Sequence, residues 1–242
     1  MFLSVTKIRL FQNCRFRYKK HYIEHQREDQ NFHSQYGSLV HEEFEQFYAL
    51  PEAERIESKL LEIHKQEFAK PLYPLLNHAA FDKQVFALRD YFYEESPAKA
   101  NILKLESRFE GYLGNGIPII AVVDRIDRID ETTIKVIDYK TGHSYFPTHK
   151  ELQEDEQLSM YDLIAQQWFP EAKRIILELR FLDGARLQTE RRPDQRENFL
   201  NYLEVIYHQI LQEQEFLPQL NAFCHLCPFK SEKGKSDTTT SP

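Results

Sequence analysis

Apolar and polar positions alternate along residues 122–129 and again along 134–138, the period-two signature of paired, half-buried strands. Asp130, Glu131 and Thr132 between them read as a three-residue turn, so the two runs form a β-hairpin. Folding about Glu131 sets Asp124 opposite Asp138 and Asp127 opposite Lys135, the second a favourable cross-strand charge pair. Opposed residues share a face of the sheet, and so do residues two apart. Asp124, Asp138 and Lys140 therefore converge in one small volume, while Arg125 and Asp127 face away and make cross-strand pairs. Glu106 lies on a preceding strand pattern, 102–113.

Elsewhere the period is helical. Ser4 is a good N-cap for a helix over 4–23, with Ile8, Phe11 and Cys14 on one face. Residues 24–35 are polar and read as a loop, and Tyr36, Gly37 and Ser38 introduce a helix over 39–50 that Pro51 ends. Its apolar face is Val40, Phe44, Phe47 and Tyr48, and His41 lies near its N-terminus. Residues 52–95 are helical with breaks near Pro71 and Pro74, and the stretch of roughly 50–100 reads as a helical insert or cap. Gly114-Asn115-Gly116 marks a turn. A single helix is expected over 148–168, a strand over 174–182, an Asp183-Gly184 turn with 185–189 pairing back, and a helix over 193–212 opened by Pro193. Helices, three strands, a helix, two strands and a helix make an α/β sandwich around a mixed sheet, not a doubly wound fold. One domain is expected over 1–230, with a polar, disordered tail over 231–242.

Composition narrows the class. Of 242 residues, 41% are hydrophobic and 29% charged, an ordinary globular balance. No apolar run approaches the ~20 residues that cross a bilayer, and the first residues are too short in apolar length for a signal peptide. A cytoplasmic protein with no membrane partner is expected. The net charge of −7 argues against nucleic acid. Its distribution argues the other way: Lys7, Arg9, Arg15, Arg17, Lys19 and Lys20 run without an acidic residue among them and are interleaved with Phe11, Phe16 and Tyr18. This run is either a DNA-binding surface or a solvated helix face. Seven glycines form no phosphate-cradling loop. Three cysteines, two of them Cys224 and Cys227 in a C-x-x-C, fit a reducing compartment and either a metal or cluster site or simple burial.

Two carboxylates and a lysine suit phosphodiester hydrolysis. Hard divalent ions take carboxylate oxygens as ligands, and a lysine beside them can orient water or neutralise developing charge. Asp124, Asp138, Tyr139 and Lys140, in the string Val136-Ile137-Asp138-Tyr139-Lys140-Thr141-Gly142, resemble the PD-(D/E)XK nuclease superfamily in its RecB-like exonuclease branch. Four further segments resemble that branch in order: Ser4 through Cys14 to Tyr18, Gly37 to His41, Asp124 to Asp127, and Gln157 to Tyr161 as a Q-x-x-x-Y helix. Ala121 stands where the branch often has glycine before its D-R-x-D segment.

The resemblance implies a restriction-endonuclease-like core with an N-terminal helical region. It also implies a metal-dependent exonuclease on single-stranded DNA or duplex ends. It assigns His41, Asp124, Asp138 and the Tyr139 backbone carbonyl to a Mg²⁺ or Mn²⁺ ion, Lys140 to catalysis, and Gln157 and Tyr161 to support of the site or the DNA, and it offers Glu106, otherwise an exposed strand glutamate, as a further contributor. Two other readings stay open: a module active only with a partner helicase or integrase, and a structure-specific endonuclease. Some relatives, of the AddB and CRISPR-associated types, hold an iron–sulfur cluster on four cysteines. Here Cys14, Cys224 and Cys227 occupy three of those places and Lys233 the fourth. A cluster with a non-cysteine ligand such as His225, a zinc site, or a lost cluster follow as alternatives.

Overall fold

In a computed structural model the described residues are 1–26, 28–141, 146–182, 184–222 and 224–230. The expected Asp183 turn residue, Gly142 of the hairpin motif, Lys233 and the tail over 231–242 lie outside them. Five strands form one sheet in the order β1 (Ile102–Tyr112), β2 (Pro118–Arg128), β3 (Thr133–Lys140), β4 (Arg174–Phe181), β5 (Arg186–Thr189). β3 and β4 are parallel and the other neighbours antiparallel, so the sheet is mixed. Leu3 adds an isolated parallel bridge to Ile119, anchoring the N-terminus at the sheet.

Helices cover both faces. One core packs α1 (Val5–Asn13), α7 (Glu156–Trp168) and α8 (Pro193–Gln212) onto Ile126, Ile134, Val136, Leu177 and Leu179. The other packs α3 (Phe32–Ala49), α4 (Glu57–Phe68) and α5 (His78–Glu95) onto Ile137, Tyr139 and Leu182. Alternate residues of β3 thus enter opposite cores, as the strand period requires. No helix of the described residues is long and apolar enough to cross a membrane.

Three elements differ from the sequence reading. The helix carrying His41 starts at Phe32, inside the expected loop, so His41 sits in its third turn and not near its N-terminus. Asn31 accepts from the Ser34 amide at 2.9 Å and the Ser34 hydroxyl returns to the Asn31 amide at 3.0 Å, a reciprocal cap that apolar periodicity does not register. The helix expected over 4–23 is in three pieces: α1, the turn α2 (Arg15–Tyr18), and a π-helical turn over Lys19–Ile23. The helix expected over 148–168 breaks at Asp155 into α6 (His149–Glu154) and α7, each with its own side-chain cap.

The hairpin register is as expected, with Asp127 opposite Lys135. Their charge pairing is not. Asp127 is forked by its own strand neighbour Arg125, and Lys135 turns to Glu178 at 3.3 Å. Arg125 is buried, lies 4.0 Å over the Tyr48 ring and donates to the Tyr139 hydroxyl at 3.1 Å. Burial makes a bidentate partner more valuable to a guanidinium than one opposed ammonium is to a carboxylate. We expect Asp127→Ala to cost about 3–5 kcal/mol in denaturant unfolding, because it strands a buried cation. Arg125→Met with Asp127→Leu should cost much less, since both charges go together.

Candidate active site

The hairpin is closed by Asp130, whose carboxylate accepts from the amides of Thr132 and Thr133 at 2.8 Å each. This turn holds β2 against β3 and carries Asp124 and Asp138 side by side, 4% and 1% exposed. Asp124 Oδ2 accepts the Tyr139 backbone N–H at 2.9 Å, which pins the carboxylate to the neighbouring strand. Lys140 Nζ lies 2.5 Å from Asp138 Oδ2. That oxygen accepts no well-aligned hydrogen bond, so the contact is one of charge.

Helices complete the group. His41 reaches in from α3, with Nδ1 3.2 Å from Glu106 Oε1 and 3.6 Å from Asp124 Oδ2. From α7, Gln157 Oε1 accepts from Lys140 Nζ at 3.4 Å and Gln157 Nε2 donates to the Tyr161 hydroxyl at 2.9 Å. Tyr161 in turn donates to the Val122 carbonyl at 2.6 Å, tying the chain of contacts back to β2. A cleft of about 500 Å³ opens over His41, lined also by Gly37, Ser38, Glu42, Glu45, Glu106 and Val122.

Among the described residues, one nitrogen of His41 and one oxygen each of Glu106 and Asp124 lie within 4.8 Å of one another. Glu106 therefore joins the volume, which its strand position alone left open. It does so with φ +39°, a left-handed backbone that costs a non-glycine residue about 1–3 kcal/mol. Asp138 stands beside this trio but turns to Lys140. An imidazole, two carboxylate oxygens and an adjacent buried oxygen lacking an aligned donor suit a hard divalent cation.

The electrostatics point the same way. Burial, and then the charge of Asp138, push the Asp124 carboxyl up to about 8. Burial also raises Asp138, against the pull of Lys140. Burial by itself would lower His41, but the hydrogen bond to Glu106 and the charges of Asp124, Glu106 and Asp138 outweigh it and raise the imidazole to about 9. Lys140 behaves alike: burial lowers it, Asp138 and Asp124 raise it, and the net direction is up. Without a metal the carboxylates thus recruit protons in place of a cation.

The remaining sequence candidates lie elsewhere. Lys7 donates to the Phe2 carbonyl at 2.7 Å. Arg9 pairs with Asp155 and Glu156, Arg15 with Glu213, Arg17 with Glu28 and Lys20 with Glu24. Lys19 is half-buried on the π turn. Within the basic run Arg9 and Arg15 reach distant segments, while Arg17 and Lys20 pair nearby in sequence. Cys14, between α1 and α2, and Cys227 are buried, and Cys224 is partly exposed. Cys224 Sγ accepts the Asn221 amide at 3.3 Å. Three thiols with an ammonium at the fourth place do not fit a four-thiolate cluster, and among the described residues they form no group converging as His41, Glu106 and Asp124 do.

A mixed five-stranded sheet with an acidic pair and a lysine on its central hairpin defines a class, and the chain belongs to it: the model of the PD-(D/E)XK nuclease superfamily matches residues 2–231. The superfamily's enzymes use divalent metals. One component of the ATP-dependent helicase/deoxyribonuclease of Streptococcus pyogenes, in serotypes M49 and M3, is 22% identical over 156 residues, 60% of this chain. The match spans only 14% of the length of those relatives. A solved structure of a candidate exonuclease from Eubacterium rectale shares the fold, with a TM-score of 0.60 at 15% identity, covering 100% of this chain and 90% of that one.

A divalent ion must displace protons held on Asp124 and His41, so its affinity should rise between about pH 6 and about pH 9. Calorimetric titration with Mn²⁺ in two buffers of different ionisation enthalpy should show release of roughly one to two protons per ion.

Proposed function

We propose that the chain is a metal-dependent DNA exonuclease that hydrolyses phosphodiester bonds of single-stranded DNA or duplex ends. The observation that carries this reading is the convergence of His41, Glu106 and Asp124 beside the Asp138–Lys140 pair. His41, Asp124, Asp138 and Glu106 would hold Mg²⁺ or Mn²⁺, with the Tyr139 carbonyl as a further ligand. Such an ion, when bound, supplies Lewis-acid activation of water and charge relief on the phosphate. Lys140, kept protonated by Asp138, orients the attacking water or neutralises charge developing on the phosphoryl oxygens. Gln157 receives one Lys140 N–H and is itself held by Tyr161, which limits where the ammonium can point. Helicase/deoxyribonuclease and exonuclease in the descriptions of the similar proteins support DNA as the substrate and end-directed attack as the mode.

One observation favours a second reading, in which the nuclease acts in company with a helicase or an integrase. The cleft is rimmed by Glu42 and Glu45, while Arg9, Arg15, Arg17 and Lys20 are held in internal ion pairs. Cations engaged by the chain's own carboxylates draw DNA in less strongly, so a partner would deliver the strand.

Cleavage of end-labelled single-stranded DNA with Mg²⁺ or Mn²⁺ tests the site. Lys140→Ala and Asp138→Ala should each lower the rate by at least ~10²–10³-fold with folding intact. Equal rates in wild type and variants would sink the assignment. Covalently closed single-stranded circles should stay whole, and their cleavage would make the enzyme an endonuclease. DNA binding without cleavage under either metal would favour the partner-dependent reading.

A further inference from the structure

Arg191 is 5% exposed, follows β5 and precedes α8, and takes no part in the cluster around Asp124. A buried guanidinium ordinarily lies against a carboxylate. Here every hydrogen-bond partner is a carbonyl or a hydroxyl. Nη2 donates to the Leu152 carbonyl at 3.0 Å and to the Asp155 carbonyl at 3.2 Å. Nε donates to Ser159 Oγ at 2.9 Å, and Nη1 makes a longer contact to Thr189 Oγ1 at 3.4 Å.

Those partners straddle the corner where the expected single helix breaks. Leu152 belongs to α6, Asp155 is the corner, and Ser159 is in the first turns of α7. Ser159 Oγ also donates to the Asp155 carbonyl at 2.7 Å, so hydroxyl and guanidinium grip one peptide together. The last carbonyls of a helix are its negative end, and a planar fork of donors meets several of them at once where a single ammonium cannot. Two residues past the corner stands Gln157, against Lys140.

We infer that Arg191 is a positioning residue: its guanidinium clamps the α6–α7 corner and thereby sets where Gln157 meets Lys140. The corner fixes the start of α7, and a side chain at a helix start moves with any shift in the preceding peptide. Displacements of about 1 Å in such supporting groups can cost on the order of a hundredfold in rate. The kinetic half of this inference rests on the nuclease reading, whereas the structural half does not.

The test uses Arg191→Lys, Gln157→Ala and the double variant, with Ser159→Ala as a milder change that removes the Nε acceptor and the hydroxyl's own bond to the Asp155 carbonyl. In Arg191→Lys, amide hydrogen exchange should rise at residues 155–159 while the sheet amides hold, with Ser159→Ala giving a smaller rise in the same segment. Cleavage should slow by about tenfold or more with KM for DNA unchanged, and in the Gln157→Ala background Arg191→Lys should add no further loss. Unchanged exchange at 155–159, or losses that multiply in the double variant, overturns the inference. Should Arg191→Lys not fold, Ser159→Ala decides by the same exchange readout. Should wild type cleave no DNA, the nuclease reading falls separately and exchange alone decides the clamp.

Discussion

Two carboxylates buried side by side repel each other, and each has lost the water that would stabilise its charge. Asp124 and Asp138 are held in that position by the hairpin register, and neighbouring parts of the fold answer the charge they create. Lys140 comes two residues along the same strand as Asp138. His41 comes from a helix on the far side of the sheet, and the Tyr139 amide from the backbone between the pair. Even so, Asp124 is left preferring a proton at neutral pH. An imidazole and carboxylates that hold protons in this way suit a divalent cation, whose binding would release them.

Behind this pair the sheet carries a second, separate charge system. Arg125 with Asp127, and Arg180 with Glu178 and Glu95, are buried on the side facing α3–α5, where the half-buried Lys135 also meets Glu178. Alternation along a strand puts Arg125 one residue away from Asp124 yet on the opposite face. Tyr139 links the two. Its amide holds Asp124, and its ring packs 4.5 Å from Phe44 on the helix that carries His41. The middle residue of the Asp138-Tyr139-Lys140 string thus couples the hairpin to α3, a connection that a motif written D-x-K leaves unspecified.

The N-terminal helices meet the segment after α8 through direct side-chain contacts. Arg15 pairs with Glu213 at 2.6 Å, Asn221 donates to the Asn13 carbonyl at 3.0 Å, and Phe216 stacks on Tyr18 with rings 2° from parallel. These contacts join the same two segments that a four-thiolate cluster would staple. Of the basic residues near the N-terminus, Arg15 belongs to this joint and Arg9 to a similar one with Asp155 and Glu156.

The hairpin, its register and the sharing of a face by Asp124, Asp138 and Lys140 were legible in the sequence, because strand pairing about a short turn is local and its period is two. The mixed sheet was legible for the same reason, from the order of the elements. Motifs ordered along the chain also pointed to His41, Gln157 and Tyr161, although nothing local says that they meet. Only the tertiary structure decided the rest. Glu106 enters the cluster through a strained backbone that no pattern announces. Asp127 takes Arg125 and not Lys135, because burial favours a fork over a point charge. The carbonyls at the Asp155 corner meet Arg191, distant in sequence and adjacent in space. Local periodicity determines which face a residue takes; which charge it finally meets depends on what the fold buries beside it.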